Sequence, residues 1–480
     1  MKENPRFKEN QRFKSDETFS KMGKWLKNTL FGPKNGRAPL AKTRRISLEH
    51  HGLAPERMSQ GALSVVDKLK QAGFQAYIVG GAIRDLLLQL SPKDFDVATD
   101  ATPEEVRALF RRAIIIGRRF RLVHVYVGDE KVEVSTFRRS PEAGEEGREA
   151  NNLYGTHEED ARRRDFSANA LYYCPRTGEI IDFTLGFSHI QERRLTVIGD
   201  PEERYQEDPM RMVRALRFAA KSGLFPDVQA LAPIARLAPL IAEVPPARRF
   251  DEFLKILLSG ASAKALLLLQ EQGILAYFLP FWDEALEEDR RLRTLCLAQT
   301  DRRFLEGKPV SPTFILAALL WGAVRWRQKK KEDEGMPASV AFEQAQSQVL
   351  QDQVRVMAIP RRLLLGVREI WSLVSRLQAP KPRLAASALA HPRLRAGLDF
   401  LALRAEAGEE VGDALAFWQA YLDANEEERK KLLASLSPGG GRKRRRRRKK
   451  KAPSALGDAA GVKSGTASGE PQENLMDKGA

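Results

Sequence analysis

Two spacings of apolar residues divide the chain. Up to about residue 185, short apolar runs alternate with amphipathic stretches. Tyr77-Ile78-Val79 is a brief run closed by glycine, as a buried strand would be. Leu122 to Val127 and Val132 to Thr136 alternate apolar and polar positions, as half-buried strands do. Residues 60–72 have helical spacing, and Ala82 to Leu90 reads as a short helix that Ser91-Pro92 stops. Thr102-Pro103-Glu104-Glu105 starts another helix: Thr102 caps, Pro103 takes the first position and Glu105 completes a capping box. Beyond Asp200 the period is helical almost throughout, with leucine-rich runs at Phe253 to Leu258 and Ala263 to Leu269. Further helices are expected near 313–327, 340–357, 362–377 and 394–406. The pattern predicts a small α/β head followed by an all-α region.

The 480 residues leave room for two or three domains and a sizeable core. Charge changes the picture at the ends. The net charge of +17 is distributed as +8 over residues 1–50, +10 over the unbroken basic run 442–451 and −2 over 452–480, so residues 51–441 carry only +1. Such ends cannot bury a core and are expected to be disordered. A near-repeat, Lys2-Glu3-Asn4-Pro5-Arg6-Phe7 and Lys8-Glu9-Asn10-Gln11-Arg12-Phe13, lies in the first arm. A basic tail alone suits a membrane surface or solubility as well as nucleic acid. No amphipathic or lipidated anchor accompanies it, so a phosphate backbone is the favoured partner. Residues 140–152 are polar and glycine-rich and read as a mobile loop. Cys174 and Cys296 give no metal or disulfide framework, which points to a reducing cytoplasm. The N-terminus lacks an apolar signal core, and the longest apolar run, near Phe314 to Val324, is too short for a bilayer. The expected layout is a disordered arm at 1–55, a head at 56–185, a neck at 186–275, a body and C-terminal domain at 276–438 and a disordered Arg/Lys-rich tail at 439–480.

Candidate chemistry concentrates between Gly80 and Asp96. Gly80-Gly81 follows the strand and permits close backbone approach, Arg84-Asp85 follows, and then Asp94-Phe95-Asp96 begins a second strand. On a strand, Asp94 and Asp96 share a face while Phe95 and Val97 point to a core. Alone, the Gly-Gly is a turn and the Asp-x-Asp a solvated strand face. Together they suit a divalent cation carrying a triphosphate. Neither Gly-x-x-x-x-Gly-Lys-Ser/Thr nor Gly-x-Gly-x-x-Gly is present.

This ordered combination resembles the nucleotidyltransferase superfamily, specifically the class II branch of tRNA CCA-adding enzymes and bacterial poly(A) polymerases. Three further blocks match. Glu133, by spacing an exposed strand residue, occupies the position of a carboxylate that supports the metal site. Arg162-Arg163-Arg164-Asp165-Phe166-Ser167-Ala168-Asn169-Ala170-Leu171 is similar to the family's Arg-Arg-Asp-Phe-Thr-x-Asn-Ala-Leu motif, with Ser167 keeping the hydroxyl of the usual threonine. The resemblance implies a nucleotide contact for Arg164 and ribose contact or catalytic support for Asp165. In Glu207-Asp208-Pro209-Met210-Arg211, Asp208 is an expected N-cap and Pro209 the first helical residue. Arg211, Arg214 and Arg217 then share a helix face, which is a solvated surface unless it lines a cleft. By the resemblance, Asp208 and Arg211 hydrogen-bond the base edge, with Arg214 and Arg217 beside them. Arg248-Arg249-Phe250-Asp251-Glu252-Phe253 matches a last neck element, which we assign to positioning.

The implied fold is an α/β nucleotidyltransferase head followed by an all-α neck, body and C-terminal region with disordered basic tails. The implied reaction adds AMP from ATP to RNA 3′ ends. Asp94, Asp96 and Glu133 hold two Mg²⁺ ions, for which Mn²⁺ can substitute, while Gly80, Gly81 and Arg84 cradle the phosphates. Ile115-Ile116-Gly117-Arg118-Arg119-Phe120-Arg121-Leu122-Val123-His124 and the segments Leu389 to Ala396 and Leu401 to Glu406 resemble the poly(A) branch rather than the CCA-adding one. Expected partners are ATP and the 3′ ends of mRNA, decay fragments and structured RNA, alongside RNA-decay machinery, for a cytoplasmic monomer without a membrane span. Two alternatives stay open: a CCA-adding enzyme that also uses CTP, and a non-catalytic RNA-binding adaptor.

Overall fold

The structure, a computed structural model, describes residues 43–117, 121–140 and 153–436. The expected tail at 439–480, the loop at 141–152, residues 118–120 and residues 1–42 of the arm lie outside the described residues. The described part of that arm is not disordered. It forms strand β1 (Arg44–Ile46) and the short helix α1 (Leu48–His51).

The head continues with α2 (Gln60–Gln71), β2 (Ala76–Val79), α3 (Gly81–Leu87), β3 (Asp96–Thr99), α4 (Pro103–Leu109), β4 (Ala113–Ile116), β5 (Leu122–Val127), β6 (Glu130–Thr136), α5 (His157–Arg163), β7 (Leu171–Cys174), β8 (Glu179–Asp182) and α6 (Gly186–Gln191). Among the described residues eight strands form one sheet in the order β1-β8-β7-β2-β3-β6-β5-β4, in which β3 and β6 run parallel and the other neighbours antiparallel. Ile78, Val97, Val123, Val125, Val132 and Val134 are buried against Val65, Val66 and Leu69 of α2. The expected capping box stands at α4: Thr102 Oγ1 accepts from the Glu105 amide, and the Glu105 carboxylate accepts from the Thr102 amide.

Beyond the head, the regular structure of the described residues is helical but for one small exception. Strand β9 (Arg194–Leu195) pairs in parallel with β10 (Phe225–Pro226), bracketing α7 (Pro201–Glu207) and α8 (Met210–Ser222). Then come α9 (Val228–Leu231), α10 (Ile234–Leu237), α11 (Pro246–Leu257) and α12 (Ser262–Glu271). The body is built from α13 (Glu287–Leu305), α14 (Pro312–Asp333), α15 (Ala338–Val356), α16 (Arg361–Leu377), α17 (Pro382–Leu389), α18 (Leu394–Glu406), α19 (Gly412–Asp423) and α20 (Glu426–Ser435). Trp371 and Phe400, both fully buried, pack near Trp321 at the centre of this bundle. No helix among the described residues is long and apolar enough to cross a membrane.

Candidate active site

The turn out of β2 places the first group. Gly80 has φ +82° and ψ −135°, a region essentially reserved for glycine, and its carbonyl accepts from the Arg84 amide as α3 begins. A Cβ at Gly80 would lie 3.6 Å from Arg164 Nη1 and 3.9 Å from Asp96 Oδ2, so the turn stands between those two side chains. Asp96 pairs with Val79 across the antiparallel β2–β3 ladder and with Glu133 across the parallel β3–β6 ladder. Asp94 differs from the expectation: it precedes β3 rather than lying on it. The partner strand turns away at Gly80, which leaves Asp94 without a ladder neighbour.

The acids are close enough to act on each other. Burial, the Glu133 charge and the Asp94 charge raise the Asp96 carboxyl to about 6, against the opposing pull of Arg164 and Lys131. Glu133 is half-buried, yet Lys131 and His124 outweigh that burial and hold its carboxyl below the usual range. Its Oε1 accepts from Lys131 Nζ at 2.8 Å and from His124 Nε2 at 3.2 Å. Among the described residues no group of three His, Cys, Asp or Glu is gathered as a metal-holding cluster. The expected three-carboxylate cluster is therefore not gathered here, and Glu133 Oε1 instead accepts from Lys131 and His124. The donor set still fits a hard divalent ion: Asp94 and Asp96 offer carboxylate oxygens, and burial together with the Glu133 and Asp94 charges makes the ionised Asp96 costly without a cation beside it.

The expected phosphate contact Arg84 is placed differently. It is only 3 % exposed; its Nε and Nη2 donate to Asp85 Oδ1, and Nη1 donates to Asn169 Oδ1 at 2.5 Å. Its Cζ lies 4.7 Å from the centroid of the Phe218 ring of α8. Arg84 is thus fixed within the head, its donors spent on the buried acceptors Asp85 and Asn169, and it meets the neck through the Phe218 ring. Arg164 donates to Asp160 Oδ2, to the Tyr172 hydroxyl and to the Asn169 carbonyl. Burial pulls its guanidinium down, but Tyr172 and Asp160 more than offset that and hold it above its ordinary value. Asp165 accepts from the Phe166 amide and Asn169 Nδ2, and lies 2.7 Å from Arg214. Despite burial, Arg214 and these donors keep its carboxyl low.

The arginine face of α8 is not a free surface. Arg211 Nη1 donates to Glu207 Oε2 at 2.6 Å and to the Arg204 carbonyl at 2.8 Å. Arg214 meets Asp165 of the head, and Arg217 Nε donates to the buried Glu252 of α11 at 2.6 Å. The expected cap is displaced by one residue: Pro209 is the N-cap of α8 and Asp208 closes α7, while Asp208 Oδ1 still accepts from the Met210 amide at 3.1 Å. Its other oxygen accepts from Arg248 Nη2 at 2.6 Å, so Asp208 and Arg211 are neighbours with different partners. Sequence reasoning missed Asp85, Glu252, Arg248, His124 and Lys131 as groups that set this site's charges. Asp160 and Arg164 carried a readable signal, an i,i+4 acid–arginine spacing.

Comparison with known proteins completes the description. Residues 76–196 match the family described as "Poly A polymerase head domain", 223–286 match "Probable RNA and SrmB- binding site of polymerase A", and 334–452 match "Polymerase A arginine-rich C-terminus". Poly(A) polymerase I of Haemophilus influenzae is 39% identical over 393 residues, covering 78% of this chain and 87% of that protein. A CCA-adding enzyme of Streptococcus pneumoniae is 32% identical over 313 residues, covering 65% of this chain and 75% of that one. Among solved structures, the Bacillus stearothermophilus CCA-adding enzyme in complex with CTP superposes with a TM-score of 0.53 at 27% identity, covering 78% of this chain and 82% of that chain.

Proposed function

The chain belongs to the poly(A) polymerase family of nucleotidyltransferases and is a polynucleotide adenylyltransferase, and from that premise we propose which residues carry the reaction. Asp94 and Asp96 are the catalytic carboxylates and would hold a divalent ion, Mg²⁺ or Mn²⁺, with Glu133 as a third ligand. When bound, that ion supplies neutralisation of the triphosphate and acidification of the RNA 3′-hydroxyl. The Gly80-Gly81 turn lets the ATP phosphates approach the backbone beside Asp96, and Arg164 offers a fixed positive charge on the other side of Gly80. Asp165 supports the site by holding Arg214 and Asn169 in place. Asp208 and Arg211 read the adenine edge, with Arg214 and Arg217 as the charged frame behind them.

The observation that carries this reading is the position of Gly80 between Asp96 and Arg164, with Glu133 in register beside Asp96. Poly(A) addition to RNA 3′ ends, rather than CCA addition, is favoured by the greater identity and coverage of the poly(A) polymerase relatives. We further propose that the enzyme acts in the cytoplasm as a monomer alongside RNA-decay machinery. The described cysteines, Cys174 and Cys296, are free and buried, in keeping with a reducing compartment. The test is incubation with an oligo(A) primer, or with a tRNA lacking CCA, under ATP or CTP. Long ATP-dependent products are expected on oligo(A), and the D94A/D96A protein should make none. Extension by that double variant at the parental rate sinks the site assignment.

A further inference from the structure

The row of side chains across the head sheet ends at a cation belonging to the protein. Asp96 on β3, Glu133 on β6 and His124 on β5 stand opposite one another in register. Lys131 is two residues before Glu133 on the same strand and therefore shares its face. Its ammonium donates to Glu133 Oε1 at 2.8 Å, and His124 Nε2 donates to the same oxygen at 3.2 Å. The charge of Lys131 also acts on Asp94 and on Asp96. Lys131 is 42% exposed and sits on a flexible four-carbon stem, so it can leave the cluster without disturbing the core.

We propose that Lys131 is a tethered counter-cation: it neutralises the Asp94, Asp96 and Glu133 carboxylates when no divalent ion is present and competes with that ion for Glu133. The proposal rests on the reading of those carboxylates as metal ligands. It accounts for the missing three-carboxylate cluster, because the oxygen that would complete it is already shared by Lys131 and His124. Ion entry then requires the ammonium to swing away and His124 alone to keep Glu133 aimed. The exchange adds one positive charge near the site: a divalent cation enters and a monovalent one leaves, so the nucleotide meets a less negative pocket only after the ion has bound.

The test uses the full-length chain in metal-free, low-salt buffer without nucleotide, and reads free Mn²⁺ by electron paramagnetic resonance. K131M removes the charge and keeps most of the stem, so Mn²⁺ should bind at least about five-fold tighter, the effect of one unit charge about 4 Å away even in aqueous dielectric. K131R keeps the charge and should bind like the parent. Equal or weaker Mn²⁺ binding by K131M overturns the proposal. D96N separates it from the reading beneath it. Loss of Mn²⁺ binding in D96N without tightening in K131M removes only the role of Lys131. Unchanged binding in D96N removes the metal-ligand reading and the counter-cation with it.

Discussion

Gly80 and Gly81 are adjacent in sequence, yet the structure assigns them opposite sensitivities to the same added methyl group. At Gly80 a Cβ meets nothing closer than 3.6 Å, so the alanine variant has room. The cost is torsional: φ +82° with ψ −135° lies outside the regions an L-residue occupies. Holding alanine there costs about 1–3 kcal/mol. Relaxing it rotates the peptide that separates Arg164 from Asp96, which lowers activity as well as stability. Gly81 opens α3 outside the left-handed region, and its Cβ would touch Arg84 Nη2 at 3.4 Å, an ordinary contact. Gaining a helix-favouring residue offsets that contact, so Gly81→Ala should change stability by less than about 1 kcal/mol. The assay is urea unfolding of both variants followed by kcat/KM for ATP on an oligo(A) primer. Gly80→Ala should be the less stable and the more impaired. The reverse order, or a Gly80→Ala protein matching the parent in both measurements, would refute the backbone argument.

Two further outcomes follow from buried charge elsewhere. Burial lowers His189 and His157 to about 4, from 6.5, so the unfolded chain binds protons that the folded chain refuses. Stability from these groups is complete above about pH 6.5 and is lost as pH falls toward 4. His189, only 6% exposed, should contribute about 1–3 kcal/mol of that loss, and a His189→Gln variant should show a flatter stability profile across pH 6.5 to 4 by thermal unfolding. In the body, Arg404 donates to Glu409 and to Gln378 Oε1 and lies over Trp321. Arg404→Met leaves Glu409 with Arg325 alone and should cost the body about 2–4 kcal/mol by calorimetry, with ATP binding to the rest of the enzyme retained. A parental transition in that variant contradicts the network's role.

The parts legible in the sequence share one property: their signal is local. The capping box at Thr102 and Glu105, the helices over 340–357, 362–377 and 394–406, and the alternation of β5 and β6 all lie within a few residues of their cause. Strand β1 lay hidden because Arg44-Arg45-Ile46 has no apolar alternation; it is an edge strand held by the backbone ladder to β8 and the Arg45–Glu179 ion pair. The departure of Asp94 from the strand depended on where β2 ends, a tertiary fact. The arginines of α8 were visible as a face, but their counter-charges were not. Asp165 and Glu252 are separated from Arg214 and Arg217 by dozens of residues and become partners only when head, α8 and α11 pack together.

Those counter-charges sort the arginines by what each would lose in meeting a nucleotide. Breaking a buried ion pair strands its partner and costs several kcal/mol, whereas an exposed pair exchanges for about 0–1 kcal/mol. Arg84 with Asp85 inside the head, and Arg217 with Glu252 inside the neck, are pairs whose acids are nearly inaccessible, so they behave as fixed framework. Arg214 holds the equally buried Asp165 and belongs with them. Arg211 pairs with Glu207, which is 53% exposed, and Asp208 pairs with Arg248, which is 49% exposed. Only this last set can trade protein partners for the hydrogen-bonding edge of a base at little cost. The motif that looks uniform along α8 is therefore divided physically, with its first turn exchangeable and its second and third turns structural.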